Sequence, residues 1–164
     1  MATTFDYIDT TTRDNYYYGG SMSAAYTPRH FVICRRVSLV DAHEDLYANT
    51  VFGASDILQL INVEEGKKIV DAAIEVNTAE GAALTATLGD ETDTNGYLVD
   101  VDFDTATWYD NDGTYGGAYI NASATGLVGK LYSSADTVDI LFNTAGADAA
   151  VFDVYLNGVW YKHF

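Results

Sequence analysis

The sequence predicts an all-β fold: an antiparallel β-sandwich of jelly-roll type carrying an extended N-terminal arm. Three observations point there. Apolar and polar residues alternate with period two through short runs from Phe31 onward, the pattern of half-buried strands. Tyr, Phe and Trp number 13, 7 and 2 against 2 Met and 1 Pro, a balance that favours pleated surfaces over helices. No amphipathic helical stripe of useful length interrupts these runs. At 164 residues the chain makes one ordinary domain, able to bury roughly 70% of the surface of its unfolded form.

Taken in order, residues 1–30 are rich in Thr, Asp, Tyr, Gly and Ser, keep no period, and contain "YYYGGS" followed by Pro28, so they read as an arm ahead of a sandwich domain at 31–164. "FVICRRVSLV" (31–40) is the first strand candidate, with Cys34 as a small core residue. "ILQLINV" (57–63) follows. Ile57, Leu60 and Ile61 also suit one helical face, but the β-rich surroundings and the turn at Gly66 favour a strand. In "KIVDAAIEV", Val70, Ala72, Ile74 and Val76 point inward and Asp71 and Glu75 outward. In "ALTATLG", Leu84, Ala86 and Leu88 oppose Thr85 and Thr87. "YLVDVDF" (97–103) and "LVGKLY" (127–132) come next. In "TVDILF", Val138, Ile140 and Phe142 oppose Thr137 and Asp139, and in "AVFDVYL", Ala150, Phe152, Val154 and Leu156 oppose Asp153 and Tyr155. Turn-prone "EEGKK", "NTAEGA" and "NTAGAD" separate these runs. About eight half-buried strands result, with a closed barrel as the nearest rival, and no internal repeat is present.

The formal charge is −16, from 24 acids against 8 bases. That balance argues against nucleic acid and anionic membranes as partners, since both require clustered Lys and Arg; it suits a soluble protein that resists promiscuous self-association. Cys34 is the only cysteine, so no intrachain disulfide forms. The start of the chain has neither a basic segment nor an apolar run of signal-peptide type, and no stretch approaches the eighteen or so apolar residues of a membrane span. The protein reads as one made in the cytoplasm.

The stretch with the most distinctive chemistry is "DTNGYLVDVDFDTATWYDNDG". On a strand, Asp100, Asp102 and Asp104 share one side and Val99, Val101 and Phe103 the other. Their simplest role is a solvated acidic face, where salt screens the repulsion and the charges discourage edge pairing. A calcium site is the second reading: Glu91, Asp93 and Asn95 fall at the first, third and fifth positions of an EF-hand-like loop and Asp102 at the twelfth, although the first and last residue types and the β flanks depart from that motif. "YDNDG" (109–113) is a second candidate turn. Glycosidase chemistry needs one carboxyl buried across a cleft, and alternation leaves these acids exposed. His30, His43 and His163 show no metal-ligand spacing, and no nucleophile, base and orienting group fall in recognisable order, so neither an enzyme nor a cofactor is expected.

Arg29, His30, Arg35 and Arg36 gather in "RHFVICRR", either paired with acids on a strand or, with Arg13, contacting an acidic partner surface. The aromatic groups "NYYYGG", "TWYDNDGTYGGAYIN" and "VWYKHF" suit a protein interface or a sugar-stacking platform.

The succession "DILQLINVEEGKKIVDAAIEVNTAEGAALTATLGDETDTNGYLVDV", then the Gly/Asn/Tyr-rich loop, then "SSADTVDILFNTAGADAAVFDVYLNGVW" resembles small structural proteins of tailed-phage virions, in particular head decoration (cement) proteins. The resemblance covers roughly residues 55–161, in order and style of segments, without an invariant motif. It implies a β-sandwich on the outer surface of the head, a homotrimer at three-fold positions, and an arm reaching to the major capsid protein. On polarity and position, Arg13, Tyr16, Tyr17, Tyr18, Arg29, Arg35, Arg36, Trp108 and Tyr109 are the expected contacts. The rival readings are a carbohydrate-binding β-sandwich, with calcium under the acidic loop and Trp108 as the platform, and a minor tail or fibre component.

Overall fold

The computed structural model describes residues 4–6, 29–42, 51–111, 114–121, 128–144 and 149–160, with backbone only for 4–6 and 29. Ten strands run through them: β1 (Thr4–Asp6), β2 (Arg29–Ser38), β3 (Ile57–Val63), β4 (Lys67–Thr78), β5 (Thr85–Gly89), β6 (Leu98–Asp102), β7 (Trp108–Asp110), β8 (Lys130–Leu131), β9 (Asp136–Phe142) and β10 (Val151–Trp160). They form two five-stranded sheets. The first has the order β1-β3-β9-β5-β6, and the second β2-β10-β4-β7 with β8 also pairing β4. The pairing of β1 with β3 is parallel; the other strand pairs are antiparallel. The expected antiparallel β-sandwich is what the chain forms.

The predicted alternation builds the core. Phe152, Val154 and Leu156 of β10, and Ala150 just before it, are fully buried, with Phe31, Ile33 and Val37 of β2 on one side of the strand and Ala72, Ile74 and Val76 of β4 on the other. Phe152 meets Phe103 edge-on at 4.9 Å between ring centres, and Phe52 stacks on Phe142 at 5.1 Å. Each such side chain removed from water contributes about 1.5–3 kcal/mol, so these contacts, rather than surface charge, hold the fold.

Where the structure departs from strict alternation, a β-bulge is the usual cause. Between Asn157 and Gly158 the partner on β4 jumps from Asp71 to Ile69; Val70 is the extra residue and is only half-buried, and Lys67 and Ile69 take the inward positions beyond it. Gly158 is required there, because a Cβ would lie 2.4 Å from both the Lys68 carbonyl oxygen and the Phe31 ring. A second bulge lies opposite β5, where Leu88 pairs with Leu98 but Ala86 with Val101. Asp100 in it adopts φ of 49°. Leu98, Val101 and Phe103 are therefore buried, and Val99, expected in the core, is half-buried. A third bulge at Leu60 buries both Leu60 and Ile61.

Other expectations are corrected. Phe31, Ile33 and Val37 set the phase of β2, so Arg35 lies inward and buried while Cys34 faces out and is exposed. Partial burial and the Asp153 carboxylate push the Cys34 thiol up, which keeps it protonated at neutral pH. Asp139, expected at the surface, is buried. Of the described residues 128–132 only Lys130–Leu131 is strand, and Trp108–Asp110, read as loop, is strand β7. Within the segment read as an arm, Thr4–Asp6 joins the first sheet and β2 already begins at Arg29.

Candidate interaction surface

Directly opposed residues in antiparallel strands share a face, at about 4.5–5.5 Å between Cβ atoms. The register of the second sheet therefore lays out its outward side as four rows. His30, Val159, Lys68 and Leu131 form the first, and Val32, Asn157 and Asp71 the second. Cys34, Tyr155, Ala73 and Asp110 form the third, and Arg36, Asp153, Glu75 and Trp108 the fourth. Three of the large apolar side chains left in solvent stand on this face: Val32 at 37% exposure, Trp108 at 49% and Leu131 at 55%.

The third and fourth rows close into a corner around Trp108. Its ring lies 5.1 Å from that of Tyr155, and its Nε1 donates to Asp110 Oδ2 at 3.2 Å. The Tyr155 hydroxyl donates to Glu75 Oε2 at 2.9 Å. Burial and that hydrogen bond push Tyr155 up, so the phenol stays the donor. Asp153 is already served: Arg36 Nε lies 3.3 Å from its Oδ1, and Asn77 Nδ2 donates to Oδ2 at 3.0 Å. Glu75 has no paired cation among the described residues.

The outward side of the first sheet has a different composition. Gln59, Asp139 and Gly89 make one row across it, and Gln59 Nε2 donates to Thr137 Oγ1 at 3.3 Å. Asp139 Oδ1 has no hydrogen-bond partner among the described residues. Burial, opposed by a hydrogen bond from Thr137 and reinforced by the nearby Asp136, Asp90 and Glu91 charges, pushes this carboxyl up to about 6.

The acidic loop is pinned rather than open. Asp90, fully buried, accepts from Tyr119 (2.9 Å), Tyr132 (3.0 Å) and Lys130 Nζ, and from the amides of Thr92 (2.9 Å) and Asp93 (3.0 Å). The Tyr132 hydroxyl also lies 2.7 Å from that of Tyr97. Burial alone would raise Asp90, but the Lys130 bond, the Asp93 amide and Tyr119 together hold it below the usual carboxylate range.

Against this geometry the expected site residues separate. Arg36 and Trp108 lie together on the outward face. Arg35 and Tyr109 are buried and so not offered to a partner; Tyr109 sits opposite Ile74 and edge-on to Tyr115 at 5.0 Å, within the core. Arg29 occupies β2, and Arg13, Tyr16, Tyr17 and Tyr18 fall outside the described residues, as do Asp112 and Gly113 of the second candidate turn. The calcium candidates do not converge: Glu91 and Asn95 are exposed, Asp93 Oδ1 accepts from the Asn95 amide (3.4 Å), and Asp102 Oδ1 accepts from the Asp104 amide (2.8 Å). Asp104 in turn accepts from the Leu84 amide at 2.9 Å. Two of the three alternating aspartates thus accept backbone amides, which answers why they are tolerated so close together. Among the described residues no three His, Cys, Asp or Glu gather within reach of one ion. Two groupings escaped sequence reasoning. Tyr155 and Glu75 reach Trp108 only through the β4–β7 and β4–β10 pairings, whereas the lone Lys130 inside apolar "LVGKLY" was a signal for the Asp90 cluster.

No protein-family model matches the chain, and no curated protein sequence matches it significantly. Solved structures do resemble it. A chain in the capsid asymmetric unit of cyanophage Pam1 superposes with a TM-score of 0.52 at 12% identity, over 93% of this chain and 99% of its own. A chain in the capsid of Ralstonia phage GP4 gives 0.51 at 14%, over 87% and 90%. A chain in the acidic stable capsid of Helicobacter pylori bacteriophage KHP30 gives 0.51 at 11%, over 82% and 90%. At such identities the likeness is one of fold.

Proposed function

We propose that this chain is a non-enzymatic structural protein of a tailed-phage virion that decorates the outside of the assembled head, binds the major capsid protein and stabilises the shell across capsomer boundaries as a homotrimer. The observation that carries the reading is the end-to-end likeness to chains in three phage capsid structures, over 90–99% of their own length. The likeness is thus to whole chains of about this size. The net charge of −16 supports an outer position, because a densely packed polyanion inside a head would repel an acidic lining. The contrast between the sheets supports an orientation, with Trp108, Val32 and Leu131 toward the shell and the polar side of the first sheet toward solvent.

Magnitude decides what else must take part. Four strands about 4.8 Å apart and four rows about 6.7 Å apart give a face of roughly 500 Å², under the roughly 800 Å² per partner of a stable interface. The N-terminal segment with Arg13 and Tyr16 to Tyr18 supplies the remainder in this reading, and three linked copies multiply the contact. The test is to mix the purified protein with heads that lack it, pellet them, and count copies by quantitative mass spectrometry, with sedimentation equilibrium on the free protein. Hundreds of copies per particle and a trimer are expected; absence from the pellet, or a few to a few dozen copies, overturns head decoration. The exposed Trp108 ring beside carboxylates also favours one second reading, a carbohydrate-binding module, which glycan-array binding without head binding would support.

A further inference from the structure

We infer that the corner formed by Trp108, Tyr155 and Glu75 is a receptor for an arginine side chain of the partner protein; the partner's identity rests on the head-decoration reading, whereas the chemistry of the corner does not. Three features favour a guanidinium. Trp108 stands half in solvent with one side supported by Tyr155, 5.1 Å away between ring centres, so the ring is held in place before a ligand arrives. Glu75 is the residue directly opposite Trp108 across the β4–β7 pair, and its carboxylate is bonded to the tyrosine whose ring lies against the indole, so a carboxylate stands beside the aromatic pair. Its described side-chain hydrogen bond comes from a neutral donor, the Tyr155 hydroxyl on Oε2, and no described cation neutralises it. A planar cation lying on the indole face would have this neighbouring carboxylate as its acceptor.

Arginine fits this better than lysine. Its guanidinium stacks flat on an aromatic ring and offers a fork of donors to a carboxylate, whereas an ammonium is compact and strongly hydrated. The chain's own basic group on this row does not fill the place, because Arg36 lies at the far side of Asp153 and is paired with it. Charge complementarity selects the same occupant: a protein of net charge −16 that presents an aromatic ring beside a glutamate with no ion-pair partner among the described residues attracts cationic side chains and repels acidic ones.

The experiment follows the indole N–H signals of Trp108 and Trp160 by NMR while the whole protein is titrated with N-acetyl-argininamide, and in parallel with N-acetyl-lysinamide. A saturating shift confined to Trp108, several-fold larger for the arginine compound and reduced at least threefold in Glu75→Gln, is the expected result. Equal, non-saturating shifts of both indoles with both compounds, or an unchanged response in Glu75→Gln, would overturn the inference. Tyr155 and the fold tolerate the glutamine, which still accepts the phenol, and unchanged signals elsewhere in the spectrum verify this. On heads, Glu75→Gln is expected to weaken binding about fivefold; full retention of affinity counts against an arginine at this corner. Wild-type protein that saturates with argininamide yet ignores heads counts against head decoration alone.

Discussion

The most exacting physical prediction concerns Asp139. Its carboxyl is buried at 5% exposure, one oxygen has no hydrogen-bond partner among the described residues, and it is pushed from 3.8 to about 6. A folded-state value above the unfolded one means that the folded protein holds the proton more tightly, so its stability falls as pH rises between the two values. For a shift of that size the ionisation penalty is about 1 kcal/mol at pH 4.5 and about 3 kcal/mol at pH 7.5, a difference of about 2 kcal/mol. Asp139→Asn removes the titration while keeping the shape. Urea unfolding of both proteins at the two pH values, with circular dichroism as the probe, reads the double difference, from which the other carboxylates cancel. The variant is expected to gain about 2 kcal/mol on the wild type between pH 4.5 and 7.5, whatever the offset from its new amide. A flat difference, or one of opposite sign, would refute the reading of Asp139 as a carboxyl that burial keeps protonated.

The Asp90 cluster predicts the opposite limb. Held below its ordinary value, Asp90 stabilises the fold above that value and loses the contribution as pH drops through its folded pKa, so acid unfolding is expected below about pH 4. Lys130→Met strands a fully buried carboxylate and is expected to cost about 3–5 kcal/mol in denaturant titrations, while Lys130→Met with Asp90→Asn costs markedly less than the sum of the single changes; strict additivity would count against the pairing. Gly158→Ala forces a methyl group to within 2.4 Å of the Lys68 carbonyl and the Phe31 ring, and a loss of at least about 2 kcal/mol is expected. A thermal midpoint within a degree of wild type would contradict the close approach.

Much of the fold was legible because period two is a property of the backbone itself. On β10 no inserted residue displaces the inward set, and Phe152, Val154 and Leu156, with Ala150 just ahead of the strand, lie where alternation puts them. The misreadings cluster where a single residue is inserted. A bulge at Val70 hands its place to Ile69, and one near Asp100 hands that of Val99 to Leu98, because one extra residue inverts the phase of everything beyond it. Cys34 and Arg35 exchanged their expected places for a different reason: polarity suggested one phase for β2, but the bulk of Phe31, Ile33 and Val37 set the other.

Composition and order of residues determined by themselves that this is an acidic β protein of half-buried strands, since charge and alternation are both read off the chain residue by residue. Tertiary structure decided which of those side chains meet. Trp108 faces Glu75 across 33 positions of sequence only because β7 pairs with β4, and Tyr155 joins them because β10 lies on the other side of the same strand. Likewise Asp90 is buried among Lys130 and three tyrosines rather than solvated with its acidic neighbours. Strand order and register are collective properties of the packed sheets, so the sites they assemble are absent from any local stretch of the sequence.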